Sequence, residues 1–377
     1  MKILIISNFL PPKIGGIERH SHEFASELAR NAFNDVTVLC SSWPTGVHNS
    51  TSRDHEKNYK TIFMPSIIIF RRLPAPNIFS PRFWFIFFGL RQDYDLVFFQ
   101  SHLFVLNWLL AIYMRGTKRR IWMNHGCNFV PVRNSLLSFL LKIYELLGMV
   151  IMRYFCNEFL AQSRNAANWI TNETKCKFDV LPNAINLQLF SNLKVYSESK
   201  AEIRALFVGR FVIGKGLLEC IRVIAEANTQ LSASYSAPKI KLIIIGSGPV
   251  ESDAQDLILK LNLDAQFLGE LEHTKVIEEM CKSQFLIQYY DRPEGMPTVS
   301  LEALACGMVV FTTPVGGPED LEGCTNFRVG SIDKLPALMV EEALELRPRG
   351  ELVLVGRSFI ESGWSWESVA KKITMLN

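Results

Sequence analysis

Two glutamates eight positions apart, Glu294 and Glu302, lie in the run from Asp291 to Gly307. The first falls in a loop punctuated by Pro293 and Gly295. The second falls in an amphipathic helix whose first turn Pro297 marks. A loop that leaves a strand and opens a helix is a ligand-binding position in open α/β sheets. Carboxylates there accept hydrogen bonds from neighbouring hydroxyls, such as those of a sugar and a ribose. The same two acids would also suit a solvated helix start, where negative charge is mildly favoured. Earlier in the chain, Arg210 and Lys215 follow another predicted strand, at an end where backbone amides already favour anions. Arginine offers phosphate oxygens a planar fork, and lysine a compact charge.

Other candidates cluster at predicted strand ends. Gly15 and Gly16 sit between the first strand and its helix, where missing side chains let amides approach a phosphate. His125 ends a strand in Trp122-Met-Asn-His125, and His102 ends another in Gln100-Ser-His102. A single histidine at such a place also serves as an ordinary structural residue, and His20 and His22 on the first helix carry less weight. Asp93-Tyr-Asp95 has the carboxylate spacing of metal-dependent sugar transfer, but it precedes its strand and so sits at the wrong edge. Gly246-Ser-Gly248 after an apolar strand lacks the third glycine of a dinucleotide fingerprint, residue 251 being Glu. It reads as a nucleotide-contact loop.

Five motifs occur in one order: Gly15-Gly16-Ile17-Glu18; Gly209-Arg210 with Lys215-Gly216; Ile245-Gly-Ser-Gly-Pro249; the paired glutamates; and Gly316-Gly-Pro-Glu319. Together they resemble the retaining nucleotide-sugar glycosyltransferases of family 4, also called glycosyl transferases group 1. The resemblance spans nearly the whole chain and is strongest between Ile203 and Glu319. It implies the α/β GT-B fold, two Rossmann-like doubly wound parallel-sheet domains facing across a cleft. It also implies a UDP- or GDP-sugar donor, and no required cofactor or metal. In its terms Glu302 holds the ribose, and Glu294 and His125 face the transferred sugar. Arg210 and Lys215 face the diphosphate, with Gly15, Gly16, Gly209 and Gly248 close to the donor. Gly295, Met296, Pro297, Thr298 and Val299 reach phosphate or sugar, and Glu18 lies near the acceptor or the helix start. The chain departs from the family at Pro182-Asn-Ala-Ile-Asn186, where members commonly have glycine for Ala184.

The elements that must position these residues alternate regularly. Short apolar runs at Lys2–Ser7, Asp35–Ser41, Asp95–Gln100, Arg120–Asn124, Glu158–Gln162 and Phe178–Leu181 read as strands. The pattern restarts with Leu206–Val208, Lys241–Ile245, Gln266–Leu268, Phe285–Tyr289 and Val309–Thr312. Such alternation implies a parallel sheet covered on both faces, here built twice. The expected division is 1–186 for an acceptor-side domain and 187–363 for a nucleotide-sugar-binding domain. The closing helix, 364–377, packs back on the first domain, as the resemblance implies.

At 377 residues with 48% hydrophobic and 20% charged residues, the chain suits two globular domains and excludes a disordered one. Eight scattered cysteines show neither metal-ligand nor redox spacing, which fits reduced thiols in a cytoplasmic protein. The apolar stretch from Leu136 to Cys156 is interrupted by Lys142, Glu145 and Arg153, so a spanning helix is not expected. Through Phe190 there are 21 lysines and arginines against 12 acids; the remainder has 19 against 25. A basic, aromatic first half suggests contact with an anionic membrane at the cytoplasmic face, and a glycan or lipid-linked acceptor. That places the expected activity in bacterial surface polysaccharide or lipopolysaccharide synthesis. A sugar-nucleotide epimerase on the same fold, or a non-catalytic partner subunit, are the alternatives. Dispersed basic residues without a recognition motif argue against nucleic acid.

Overall fold

A computed structural model describes the chain except residues 11–15, 43–57, 71–72, 91–93, 130, 132–133, 192–201, 234–237, 293–294, 316 and 376–377. It comprises two compact units: Met1–Pro182 with Val369–Asn377, and Asn183–Ser368.

The first unit contains, in order, β1 (Lys2–Ile6), α1 (Gly16–Arg30), β2 (Asp35–Ser41), β3 (Lys60–Met64), β4 (Ser66–Phe70) and β5 (Leu73–Pro76). There follow α2 (Pro81–Gly89), β6 (Leu96–Gln100), α3 (Val105–Tyr113), β7 (Arg119–Asn124), α4 (Ser135–Phe155), β8 (Glu158–Ala161), α5 (Arg164–Thr174) and β9 (Asp179–Val180). Among the described residues, seven strands form one parallel sheet in the order β3-β2-β1-β6-β7-β8-β9, while β4 and β5 pair as a separate antiparallel ribbon. All five residues of β6, and Ile3 to Ile6 of β1, are buried. Continuous apolar runs of this kind are what a sheet covered on both faces requires. The chain reverses its direction across the sheet between β1 and β6, which makes their carboxyl ends the switch point.

The second unit contains β10 (Ile203–Val208), α6 (Leu217–Ser232), β11 (Ile240–Ile245), α7 (Glu251–Lys260), β12 (Ala265–Gly269), α8 (His273–Lys282), β13 (Phe285–Ile287), α9 (Thr298–Ala305) and β14 (Val309–Thr312). It continues through β15 (Phe327–Val329), α10 (Leu335–Leu344) and α11 (Arg349–Glu361). Its parallel sheet has the order β12-β11-β10-β13-β14-β15, with the switch point between β10 and β13. The last helix, α12 (Trp366–Met375), belongs to the first unit from Val369 onwards. There the Ile373 carbonyl accepts from Arg119 Nη1 at 2.8 Å, and the same guanidinium grips Glu158 through Nε and Nη2 at 2.7 and 2.8 Å.

Three features depart from the sequence-based expectation. β3, the β4–β5 ribbon and β15 are additional strands. Apolar residues of α4 face outward, as described below. And α9 is not amphipathic, because every residue from Ser300 to Ala305 is buried. Its small side chains admit close neighbours on several sides. A Cβ placed on Gly356 of α11 would stand 2.0 Å from the Leu304 carbonyl oxygen, and Cys306 Sγ lies 3.7 Å from Cys281 Sγ of α8. A helix enclosed all round needs apolar or small residues all round.

Candidate functional site

In the second unit, the candidate residues gather at the carboxyl ends of β10 and β13, on both sides of the switch point. Arg210 is exposed one residue beyond Gly209. Its loop is stitched to the next: Gly209 N donates to the Ile245 carbonyl at 3.1 Å, and Phe211 N to the Ser247 carbonyl at 2.8 Å. The approach is close because Gly246 and Gly248 have φ of +135° and +153° and carry no Cβ. Lys215 stands between Gly214 and Gly216, both left-handed, with its Nζ 5.5 Å from the centre of the Tyr290 ring. Such a contact is a cation–π interaction. Tyr290 is itself pinned, since its N and O both bond the Thr313 hydroxyl at 3.0 Å. Thus the loop after β10 meets the loop after β13.

The β13 loop leads to Glu302, on the second turn of α9 and only 3% exposed. Its Oε1 lies 3.0 Å from Nε2 of His273, the first residue of α8. The segment before α9 is anchored by Asn183, whose Nδ2 donates to the Met296 carbonyl at 2.9 Å. It is anchored again by Gly317, where a Cβ would stand 2.4 Å from the Gly295 carbonyl oxygen. Pro297 caps α9, Thr298 and Val299 form its first turn, and Ser300 Oγ donates to Gln288 Oε1 at 2.5 Å. Glu294 and Gly15 lie outside the described residues. Gly16 opens α1 in the first unit.

In the first unit, His125 follows β7, held between two glutamines. Its Nε2 meets Gln100 Oε1, and its Nδ1 lies 3.2 Å from Gln162 Oε1. Gln162 is locked in register because its Nε2 donates to the His125 carbonyl at 2.6 Å. Burial pushes the His125 pKa down to about 4, only partly offset by the Gln162 bond. A neutral imidazole has one N–H and cannot donate to two carbonyl oxygens. The Gln162 bond claims Nδ1–H, so Nε2 accepts, and Gln100 must turn its amide N–H towards it. Gln100 Oε1 then accepts from Nδ1 of His20, which lies 3.2 Å from the same amide. Burial first, and His125 second, hold the His20 pKa well below the ordinary range. The two imidazoles meet edge to face with centroids 5.0 Å apart.

Next to this chain, Ser101 adopts φ +78°, a costly conformation for a residue with a side chain. Asn107 clamps it, Nδ2 donating to the Gln100 and Ser101 carbonyls at 3.0 and 2.6 Å. His102 is buried, with Nε2 3.4 Å from Glu145 Oε1 of α4. Asp95 lies at the opposite edge, its Oδ2 accepting from Lys2 N at 2.8 Å. Sequence reasoning missed Gln100, Gln162, Glu145 and His273 as partners. The only signal for any of them was the strand-end position of Gln100 and Gln162.

An acid-stability test follows from the histidines. An unfolded histidine titrates near 6.5, whereas folded His125 titrates near 4. Below pH 6.5 the unfolded chain therefore binds the extra proton, and stability falls as pH drops from about 7 to 4. For His125 the loss reaches up to about 3 kcal/mol. The melting temperature of the His125→Asn variant should fall less steeply over that range than that of the unaltered chain. Parallel curves would contradict the half-buried neutral imidazole.

Comparison with known proteins sets these residues in a family. Residues 14–189 match the profile described as Glycosyltransferase Family 4, and residues 191–325 match Glycosyl transferases group 1. The chain belongs to the family 4 type of glycosyltransferase. It is 23% identical to an uncharacterized glycosyltransferase of Methanocaldococcus jannaschii over 99% of this chain and 97% of that one. It is 24% identical, with the same coverage, to the GDP-mannose-dependent monoacylated alpha-(1-6)-phosphatidylinositol monomannoside mannosyltransferase of Corynebacterium glutamicum. Among solved structures, Anabaena HepE in complex with UDP superposes with a TM-score of 0.73 at 15% identity, covering 99% and 98% of the two chains. That likeness, with the two parallel sheets, identifies the GT-B fold. Arg210, Lys215 and Glu302 of this glycosyltransferase lie in the segment matched to group 1, and His20, His102 and His125 in the segment matched to family 4.

Proposed function

We propose that this glycosyltransferase moves a sugar from a UDP- or GDP-sugar to a hydroxyl of a glycan or lipid-linked glycan, with retention at the anomeric carbon and without a required metal. The observation that carries the reading is the meeting of the β10 and β13 loops at Lys215 and Tyr290, with the buried Glu302 on the following helix. The bond between the anomeric carbon and the leaving phosphate oxygen breaks. The acceptor oxygen bonds to that carbon on the same face, and its proton passes to the departing diphosphate. Arg210 and Lys215 supply the positive charge that this diphosphate requires as it leaves. Glu302 receives the ribose hydroxyls, Glu294 and His125 receive the transferred sugar, and Gly16, Gly209, Gly248 and residues 295–299 line the donor. The His125 imidazole is neutral with both nitrogens engaged, by Gln100 and Gln162, so it meets the sugar as an uncharged ring face and does not attract an anion. The UDP of the Anabaena complex and the GDP-mannose of the corynebacterial enzyme support a nucleotide-sugar donor. Incubation with a panel of UDP- and GDP-sugars, with and without lipid-linked acceptors, tests the reading by product and anomer. Epimerised donor without any transfer, or an inverted product, would overturn it.

The acceptor and the cytoplasmic membrane face belong to the same proposal, as does a role in bacterial surface polysaccharide synthesis. The phosphatidylinositol-linked substrate named for the corynebacterial relative supports a lipid-linked acceptor. α4, with 21 residues, is long and apolar enough to cross a membrane by length and composition. It packs inward through Glu145, Gly148, Met149 and Met152, and exposes Leu136, Phe139, Leu140, Leu147 and Val150. Ring pairs of Tyr144 with Trp108, centroids 4.8 Å apart, and of Tyr113 with Phe87, centroids 4.5 Å apart, join it through α3 to α2, which exposes Phe85 and Phe88. A helix packed on one side and apolar on the other suits a position lying in the membrane interface. Each buried leucine or phenylalanine contributes about 1.5–3 kcal/mol. Phe139→Glu with Leu140→Glu should therefore reduce flotation with phosphatidylglycerol vesicles at least about tenfold. Equal flotation of the unaltered and altered chains would remove α4 from the membrane contact.

A further inference from the structure

Glu302 is a carboxylate with little access to water, and its burial is costly without partners. His273 supplies one, with Nε2 3.0 Å from Oε1. The two side chains differ in exposure, 35% for His273 and 4% for Glu302, so the imidazole is the partner that solvent reaches and the acid the one enclosed by protein. Their elements are brought together by the fold: α8 starts where the chain leaves β12, and α9 where it leaves β13. A carboxylate turns readily about its last bond, because that torsion is broad. A donor fixed on one oxygen removes this freedom and sets the plane of both. Two vicinal ribose hydroxyls need that plane, since they donate in a fixed relative geometry.

We propose that His273 is a positioning residue for donor recognition, its Nε2–H orienting the Glu302 carboxylate against which the ribose diol docks. This rests on the reading of Glu302 as the ribose contact. A residue that merely stabilises a buried acid would alter the melting temperature without altering selectivity for the diol. The role of His273 is therefore read from discrimination, not from affinity alone.

The test measures binding of UDP, GDP and their 2′,3′-dideoxy counterparts by calorimetry, with donor KM and kcat alongside. The unaltered enzyme should prefer its ribonucleotide over the dideoxy form by at least about tenfold, and Glu302→Ala should abolish the preference. His273→Ala should reduce it to within about threefold and raise donor KM, while kcat at saturating donor stays within about twofold. His273→Gln, whose amide can donate to the same oxygen, should recover most of the preference, and it serves as the readable variant if His273→Ala does not fold. Full preference retained in His273→Ala, with Glu302→Ala having lost it, would overturn the role of His273 alone. No preference in the unaltered enzyme would overturn the ribose reading of Glu302 and this inference with it.

Discussion

Replacing Lys215 with alanine is expected to lower kcat by about 10²–10³-fold, the loss typical of removing one fixed group that stabilises developing charge. Donor KM should change much less, because the ammonium gains most when the sugar–phosphate bond breaks and the diphosphate collects charge. The size of the effect rests on preorganisation. Lys215 is bracketed by left-handed glycines at 214 and 216, and its own N–H donates to the Val212 carbonyl at 3.1 Å. A Cβ on Gly216 would stand 2.4 Å from the Tyr289 Cβ, so this turn is seated against the β13 loop. The ammonium lies over the face of Tyr290, whose backbone is tied to Thr313. Its position is therefore set before the substrate arrives, and little reorganisation is spent during reaction. Arginine at 215 should recover only part of the rate, because its planar fork places charge differently from a compact ammonium. Steady-state kinetics decide the matter. An unchanged kcat in Lys215→Ala would remove this residue from the chemistry.

How far the fold could be read from sequence depended on local signals. β2 and β14 occupy the expected residues because each is an apolar run bounded by turn residues. β15 has only three residues, Phe327–Val329, and β3 begins at a lysine and contains a threonine, so neither gave an apolar run long enough to be noticed. α9 was expected to have a wet face, yet alanine, serine and leucine let it be enclosed, and the one long polar side chain in it is Glu302. The motif residues could be located because glycines and charges at strand ends leave a local pattern. Their partners could not. Gln100 reaches His125 over 25 positions, His273 reaches Glu302 over 29, and Glu145 reaches His102 over 43. Hydrogen bonds between elements so far apart are set by sheet order, which a single sequence states only indirectly.

Gly246→Ala should be the most disruptive small substitution near the site. Its Cβ would fall 1.9 Å from the Gly209 carbonyl oxygen, at a φ of +135° that side chains rarely adopt. The obstacle is backbone, so no side chain can rotate away. The Gly209 segment must move, and that segment carries Arg210. Crowding of this type costs about 1–3 kcal/mol, and the strained backbone adds about 1–3 kcal/mol more. Relief by shifting the loop would break the Gly209 N to Ile245 O and Phe211 N to Ser247 O bonds that hold it. Gly248 repeats the constraint, a Cβ there standing 2.4 Å from the Phe211 carbonyl oxygen, so the loop has no easy second register. Gly246→Ala should therefore lower the melting temperature by at least about 4 °C and remove the further rise that UDP or GDP confers on the unaltered enzyme. Gly89→Ala, in α2 with nothing within 4 Å of its Cβ, is the control, and it should leave both the melting temperature and the nucleotide shift close to their original values. If Gly246→Ala keeps the nucleotide shift despite a lowered melting temperature, the glycine serves packing alone. Arg210 then does not depend on it for its place.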